Sequence, residues 1–235
     1  TDQFKAIILN QSGDKFSREV KSLDKNFFKA GNVLVKVNYS GLNYKDALSA
    51  SGNKGITKEY PHTPGIDATG IVEVSNDSEF SEGTSVIVNG YDLGMNTSGG
   101  FGEYIRIPSS WAVPVPSNFS KEQTMGLGCA GLTAGLSVKA LQENSIINQK
   151  SVLVSGATGG VGSIAVKLLA HLGANVTAVT GKSKKSKFLK KMGAKNILDR
   201  EEPNLCFEET SKNINNNKNG IRTITKDLVE NEYFV

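Results

Sequence analysis

An α/β chain in two parts is predicted, an all-β first part and a parallel-sheet second part, and three observations carry it. Short apolar strands separated by Gly, Asn, Asp and Pro turns fill residues 4 to about 115. Beyond about residue 150 the texture changes to apolar strands alternating with helical patterns. At that change stands Ser151-Val-Leu-Val-Ser-Gly-Ala-Thr-Gly-Gly-Val-Gly162, in which a strand, a glycine turn and a helix start follow without a gap.

In the first part, Ala6-Ile7-Ile8-Leu9, Val33 to Val37, Gly70 to Val74 and Ser85 to Val88 read as strands of a small β-barrel-like domain. Asn43 to Asp46 begin a short helix after the second of these. Pro114-Val-Pro116 and Ser117-Asn118 end the domain, which is placed at 1–116. Ser120 with Gln123 offers a capping box for a helix running to about Leu141, with a break around Gly126–Gly135.

Val152, Leu153 and Val154 then form a buried parallel strand. Behind the glycine turn, Val161, Ile164, Ala165, Leu168, Leu169 and Leu172 recur at helical spacing, and Gly173 is a plausible C-cap. Val176 to Val179 is the next strand. Ser183 is expected to cap a helix whose inward face is Phe188, Leu189 and Met192 and whose stop is Gly193. Ile197-Leu198 begins a third strand. The order β-α-β-α-β is one mononucleotide half of a doubly wound Rossmann fold, placed at 117–213.

The glycine turn carries the strongest chemical signal. Glycine lets the backbone approach a bulky anion, and the free N–H groups of a helix start, with the positive end of its dipole, suit a diphosphate. The expected cofactor contacts here are Thr158, Gly159, Gly160 and Val161. At the end of the second strand an NAD site usually places Asp or Glu against the ribose 2′-hydroxyl. Here stand Thr180, Gly181, Lys182 and Lys185 instead, hydroxyl and ammonium donors suited to a 2′-phosphate, so NADP(H) is expected. The competing reading, a solvated lysine face, accounts for several of Lys184, Lys185, Lys187, Lys190 and Lys191.

The repeat then fails. A full dinucleotide fold needs three more strands, and Pro203 to Asn219 gives no α/β pattern. A segment is inferred to be missing, from the molecule or from the sequence in hand, with a discontinuity expected between about Asp199 and Asn213.

Composition excludes other classes. A net charge of +4 is too small and too scattered to argue for nucleic acid. No apolar run reaches the roughly 20 residues that span a bilayer. Cys129 and Cys206 lie far apart without metal-type spacing, which makes a reducing cytoplasm the default. His62 and His171, the only imidazoles, read as structural.

Five segments carry a family resemblance: Ser40-Gly-Leu-Asn-Tyr-Lys-Asp-Ala47, Pro64-Gly-Ile-Asp-Ala-Thr-Gly70, Gly99-Gly-Phe-Gly-Glu-Tyr104, Gly126-Leu-Gly-Cys-Ala-Gly-Leu-Thr-Ala134 and the glycine turn. In this order the chain resembles the medium-chain dehydrogenase/reductase superfamily, in its zinc-free quinone-oxidoreductase branch, nearest the acryloyl-CoA reductase group. The resemblance implies a GroES-like domain joined to a Rossmann domain, the latter incomplete here, and a C-terminal strand at 214–230 returning to the first domain. It also implies a homodimer, and it adds Thr133 and Asn217 to the cofactor contacts.

Zinc enzymes of the superfamily have Cys where Asn43 stands and His where Ile66 stands, with Cys129 near their third ligand. An amide, an aliphatic chain and one thiol do not make a catalytic zinc site, so no metal is expected. Without a Lewis acid, reduction of an activated C=C bond is the accessible chemistry: hydride goes to the β-carbon while a carbonyl withdraws electrons. The substrate expected is acryloyl-CoA or a similar enone. The alternatives are quinone reduction and a shortened, non-catalytic NADPH-binding homologue.

Asn43 and Tyr44 match the segment beside the nicotinamide and are the catalytic candidates. Asn43 could hydrogen-bond a carbonyl or a ribose hydroxyl. Tyr44 could pack on cofactor or substrate, or donate a proton. The competing reading makes Lys45 and Asp46 a surface pair and Tyr44 a core residue. Asp67 is expected to bond the turn or to orient Lys45 or Arg106.

Overall fold

Burial alternates along two short strands of the first part, Ser85–Asn89 and Tyr104–Ile107, while the central strands Val33–Tyr39 and Asp67–Ser75 bury consecutive residues at their starts. The computed structural model describes residues 3–28, 31–144 and 146–200. The chain forms two units that meet in sequence at Cys129 and Ala130.

The first unit opens with a hairpin of β1 (Gln3–Ser12) and β2 (Lys15–Asp24). Phe4, Ala6 and Ile8 of β1 alternate inward and pack with Leu23, Phe27, Phe28 and Tyr104. Then come β3 (Val33–Tyr39), helix α1 (Tyr44–Ala50), β4 (Asp67–Ser75), β5 (Ser85–Asn89), β6 (Tyr104–Ile107) and β7 (Val113–Pro114). They form an antiparallel sheet in the order β6-β3-β4-β5-β7. In β5 and β6 every second residue is buried, and Val86, Val88, Ile105 and Ile107 meet Val33, Val35 and Val72 in one apolar core. The predicted strands are all present. β2, β6 and β7 went unread: β2 is almost wholly exposed, β6 is four residues long, and β7 is two residues long and includes Pro114, which was read as part of the boundary.

Helix α2 (Lys121–Asn144) begins with the expected box: Gln123 N–H donates to Ser120 Oγ at 3.1 Å, and Ser120 N–H to Gln123 Oε1 at 2.9 Å. The expected break is one residue, Gly128, at φ 50° and ψ −152°.

In the second unit, β8 (Ser151–Val154), β9 (Asn175–Thr180) and β10 (Asn196–Asp199) form a parallel sheet in the order β10-β9-β8. Helix α3 (Gly160–His171) connects β8 to β9, and α4 (Ser186–Met192) leads into β10. Val152, Val154, Val166, Leu169, Val176, Ala178 and Leu189 form the core. Gly173 and Gly193 follow α3 and α4 at positive φ and end them as expected.

Two details of α4 differ from expectation. Ser183 opens a separate 3-10 turn, Ser183–Lys185, so the N-cap of α4 is Lys185. Phe188 is exposed while Leu189 is fully buried, because a helix this short buries only a narrow stripe. The expected discontinuity beyond Arg200, the returning strand at 214–230 and Asn217 lie outside the described residues. No helix among the described residues is long and apolar enough to cross a membrane.

Candidate functional site

In the second unit the site is built on the turn from β8 into α3. Gly156 takes φ +57°, and Gly159 N–H closes back on the Gly156 carbonyl at 2.8 Å. The first α3 residues, Gly160, Val161 and Gly162, have no helical carbonyl four residues back, and the first turn holds no acid. Their N–H groups are therefore an anion-binding start of the kind expected for a diphosphate. A Cβ on Gly162 would lie 2.4 Å from the Gly156 carbonyl oxygen, so this approach of helix to turn requires glycine.

At the end of β9, Thr180 is buried. Its Oγ1 lies 3.2 Å from Thr158 Oγ1 and accepts Lys182 N–H at 3.0 Å. Thr158, Thr180, Gly181 and Lys182 are thus brought together. Lys185 is exposed at the N-cap of α4, and the other cluster lysines line the solvated side. Thr133 is half-buried in α2, and its carbonyl accepts Ser137 Oγ–H.

Arg200 was missed. A Cβ built on Gly181 would lie 2.9 Å from Arg200 Nη2, so the guanidinium lies against the end of β9, where Thr180, Gly181 and Lys182 carry no carboxylate of their own and Asp199 of β10 is the register partner of Thr180. Its N–H joins the Thr180 carbonyl at 3.2 Å, one residue past β10. The signal available was the position: in a parallel sheet, the residue just past the third strand, Arg200, neighbours the one just past the second, Gly181.

In the first unit, two buried carboxylates hold the segment around Asn43. Asp46 is 3% exposed. Its Oδ2 accepts Asn43 N–H at 2.7 Å and its Oδ1 accepts Ile66 N–H at 2.9 Å. The surface pair with Lys45 is therefore corrected: Asp46 turns inward to cap α1. Burial raises its carboxyl above the usual range, opposed by the two N–H bonds, and the neighbouring Asp67 adds to the rise.

Asp67 accepts from Gly41 N–H at 2.8 Å, from Asn43 Nδ2 at 3.1 Å and from Cys129 N–H at 3.1 Å. It bonds the turn, as expected, but orients neither Lys45 nor Arg106, which reaches the Gly31 carbonyl at 3.5 Å. The kink at Gly128 takes the next N–H out of the helical ladder and frees it for this carboxylate. A Cβ at Gly128 would stand 2.6 Å from Asp67 Oδ2. Tyr44, the first residue of α1, is 68% exposed and belongs to no core.

The three positions matching zinc ligands do converge here. Cys129 Sγ–H meets the Ile66 carbonyl at 3.7 Å, and Asn43 and Cys129 share Asp67. Their chemistry does not fit zinc. Cys129 is the one thiol among the three positions, and burial, reinforced by the negative charge of Asp67, pushes it up to about 12. Ile66 has no donor, and the Asn43 amide nitrogen faces a carboxylate. Among the described residues no group of three His, Cys, Asp or Glu could hold a metal ion.

Comparison with known proteins agrees with this geometry. Residues 29–117 match the alcohol dehydrogenase GroES-like domain, and residues 160–222 match the zinc-binding dehydrogenase family. The chain is 44% identical over 200 residues to YhfP of Bacillus subtilis (85% of this chain, 61% of YhfP). The crystal structure of YhfP with NAD bound superposes with a TM-score of 0.81. This chain is 39% identical over 204 residues to the acrylyl-CoA reductase AcuI of Ruegeria pomeroyi (86% of this chain, 62% of AcuI). The yhdH oxidoreductase of Salmonella enterica, crystallised with NADP, is 42% identical with a TM-score of 0.81 (84% and 61%). The chain therefore spans about three fifths of the length of these relatives. With both family models matched in order and the glycine turn in place, the chain belongs to the medium-chain dehydrogenase/reductase superfamily, in its quinone-oxidoreductase branch.

Proposed function

We propose that this chain acts as an NADPH-dependent reductase of an activated C=C bond, with an acryloyl thioester or a related small enone as substrate and no zinc. The observation that carries the reading is the pairing of the anion-binding start of α3 with a β9 end whose own residues, Thr180, Gly181 and Lys182, carry no carboxylate and against which Arg200 lies. The acrylyl-CoA reductase among the relatives supports the substrate class. When bound, the nicotinamide supplies a hydride for the β-carbon.

The chain's own residues do the rest. N–H groups at Gly160, Val161 and Gly162 hold the diphosphate, with Gly159 as the cap before them. Thr180, Lys182 and Arg200 meet the 2′-phosphate, and Lys185 adds its charge; Thr133 and Thr158 complete the contacts. Asn43 anchors the nicotinamide end. Tyr44 offers a ring to pack on cofactor or substrate and a phenol to return a proton to the α-carbon.

Fluorescence titration tests the cofactor assignment. NADPH should bind more tightly than NADH, and both Lys182→Ala and Arg200→Ala should reduce the preference several-fold. A charged hydrogen bond is worth about 1.5–3 kcal/mol, less at exposed side chains such as these. Since YhfP is crystallised with NAD, NADH is the sharp comparison. Equal affinities defeat the assignment. Steady-state rates with acryloyl-CoA, small enones and quinones then test the substrate class: faster quinone turnover would replace the alkene reading.

A further inference from the structure

The function proposed above gives tasks to Lys182 and Lys185 and leaves the rest of the lysine cluster idle. Seven lysines stand between Lys182 and Lys195 with no Asp or Glu among them, in a chain whose net charge is +4. They are not equivalent. Lys190 Nζ bonds the Lys195 carbonyl and Lys195 Nζ bonds Asn175 Oδ1, so these two tie the segment after α4 to β9. Lys184, Lys187 and Lys191 are exposed, and among the described residues no ion pair or side-chain hydrogen bond holds them. Their placement works against the helix. Lys184 precedes α4 and Lys187 lies in its first turn, where the positive end of the helix dipole repels a cation. Lys187 and Lys191 are neighbours at i,i+4, a like-charge pair that destabilises a helix. A solvated face ordinarily interleaves both signs. Here uncompensated charge stands beside the end of β9: Thr180, Ser186, Lys190 and Asp199 line one cleft, which sets α4 against that strand end. Seven residues of helix span about 10 Å, about one Debye length at 0.1 M salt, so the field of the three lysines reaches it.

We propose that Lys184, Lys187 and Lys191 steer the cofactor. They do not touch it; their field draws the 2′-phosphate toward Thr180, Lys182 and Arg200 and speeds its capture. A phosphate monoester carries about −1.5 to −2 charge near neutral pH, so NADPH is pulled harder than NADH. A preference in rate is thereby added to the preference in contacts. Fields of this kind raise association rates by about 10- to 1000-fold. The proposal rests on the reading of the β9 end as a 2′-phosphate site. It accounts for charge that neither the contacts nor the stability of α4 explains.

Stopped-flow fluorescence on the full chain, with NADPH and with NADH, separates association from dissociation. The variant neutralises all three lysines together, Lys184→Gln, Lys187→Gln and Lys191→Gln. At about 10 mM salt, where the Debye length is roughly 30 Å, it should slow NADPH association about tenfold. NADH association should slow less, and neither dissociation rate should change. At about 1 M salt, where the Debye length is roughly 3 Å, variant and wild type should coincide. The urea midpoint should hold or rise, since like-charge repulsion along α4 is relieved. A matched control, Lys139→Gln, Lys150→Gln and Lys167→Gln, removes the same charge from α2, the residue before β8 and α3, and should leave NADPH association nearly unchanged. Equal slowing by the control would make net charge the cause and overturn the proposal. So would faster dissociation, which marks contact residues, an association rate insensitive to salt, or a lower midpoint, which marks structural ones. Wild type binding NADPH no more tightly than NADH at the high salt, where contacts alone remain, would instead sink the 2′-phosphate reading, and this proposal with it.

Discussion

His62 is 2% exposed, and its Nε2 lies 2.8 Å from the Gly94 carbonyl, which can only accept, so the ring is held as the neutral Nε2–H tautomer. Burial lowers its pKa below the ordinary 6.5, against the pull of that bond and of Asp92. The sign follows from linkage. Between the two pKa values the unfolded chain binds the extra proton, so this stability is complete above about 6.5 and is lost as pH falls toward the folded value. Urea unfolding at pH 7.5, 6.5 and 5.5 should show wild type losing stability relative to His62→Gln, which cannot titrate. A pH-independent difference between the two would refute this. The structural role of His62 was legible because it lies in a turn beside Thr63-Pro64 with no catalytic partner nearby in sequence. The bonds of Asp67 were less so: Asn43 is 24 residues away and Cys129 is 62, and nothing local marks such contacts. The competing reading of Asp46 as a surface partner of Lys45 fails for the opposite reason. Lys45 beside it looked like a partner, while the real donors, Asn43 N–H and Ile66 N–H, are backbone groups.

At the scale of elements, the β8–α3 turn depends on one missing methyl group. Gly162→Ala gains up to about 1 kcal/mol of helix propensity, but its Cβ would sit 2.4 Å from a backbone oxygen that no side-chain rotation can relieve. Overpacking of this kind costs about 1–3 kcal/mol, so the variant should unfold at lower urea. Because the turn must move to admit it, NADPH affinity should fall as well; an unchanged affinity would mean that the turn does not hold the diphosphate. This element was read correctly from sequence because strand, turn and helix are contiguous and each glycine has a local reason. The start of α4 was not. Ser183 has the right residue type for a cap, yet the chain inserts a 3-10 turn before the helix, and sequence alone does not separate a cap from the residue two positions before one.

Across the whole molecule, texture located the two parts, since short strands between Gly, Asn, Asp and Pro turns give way to apolar strands alternating with helices near residue 150. It did not locate the change of unit. Pro114 to Asn118 looks like a boundary, but Met125 and Thr124 of α2 are buried and the first unit runs on to Cys129. A fragment ending at residue 117 should therefore be less stable than one ending at 135, because it lacks the Cys129 N–H and leaves Asp67 short of a donor, a loss of about 1–3 kcal/mol for a buried group. Equal urea midpoints for the two fragments would show that this third bond carries no weight. The kink at Gly128 has a consequence in time as well as in space. During synthesis Asp67 leaves the ribosome 62 residues ahead of its last donor. For that interval the nascent strands carry a carboxylate that is costly to bury, and the core around it has a reason to stay open until the first turns of α2 arrive.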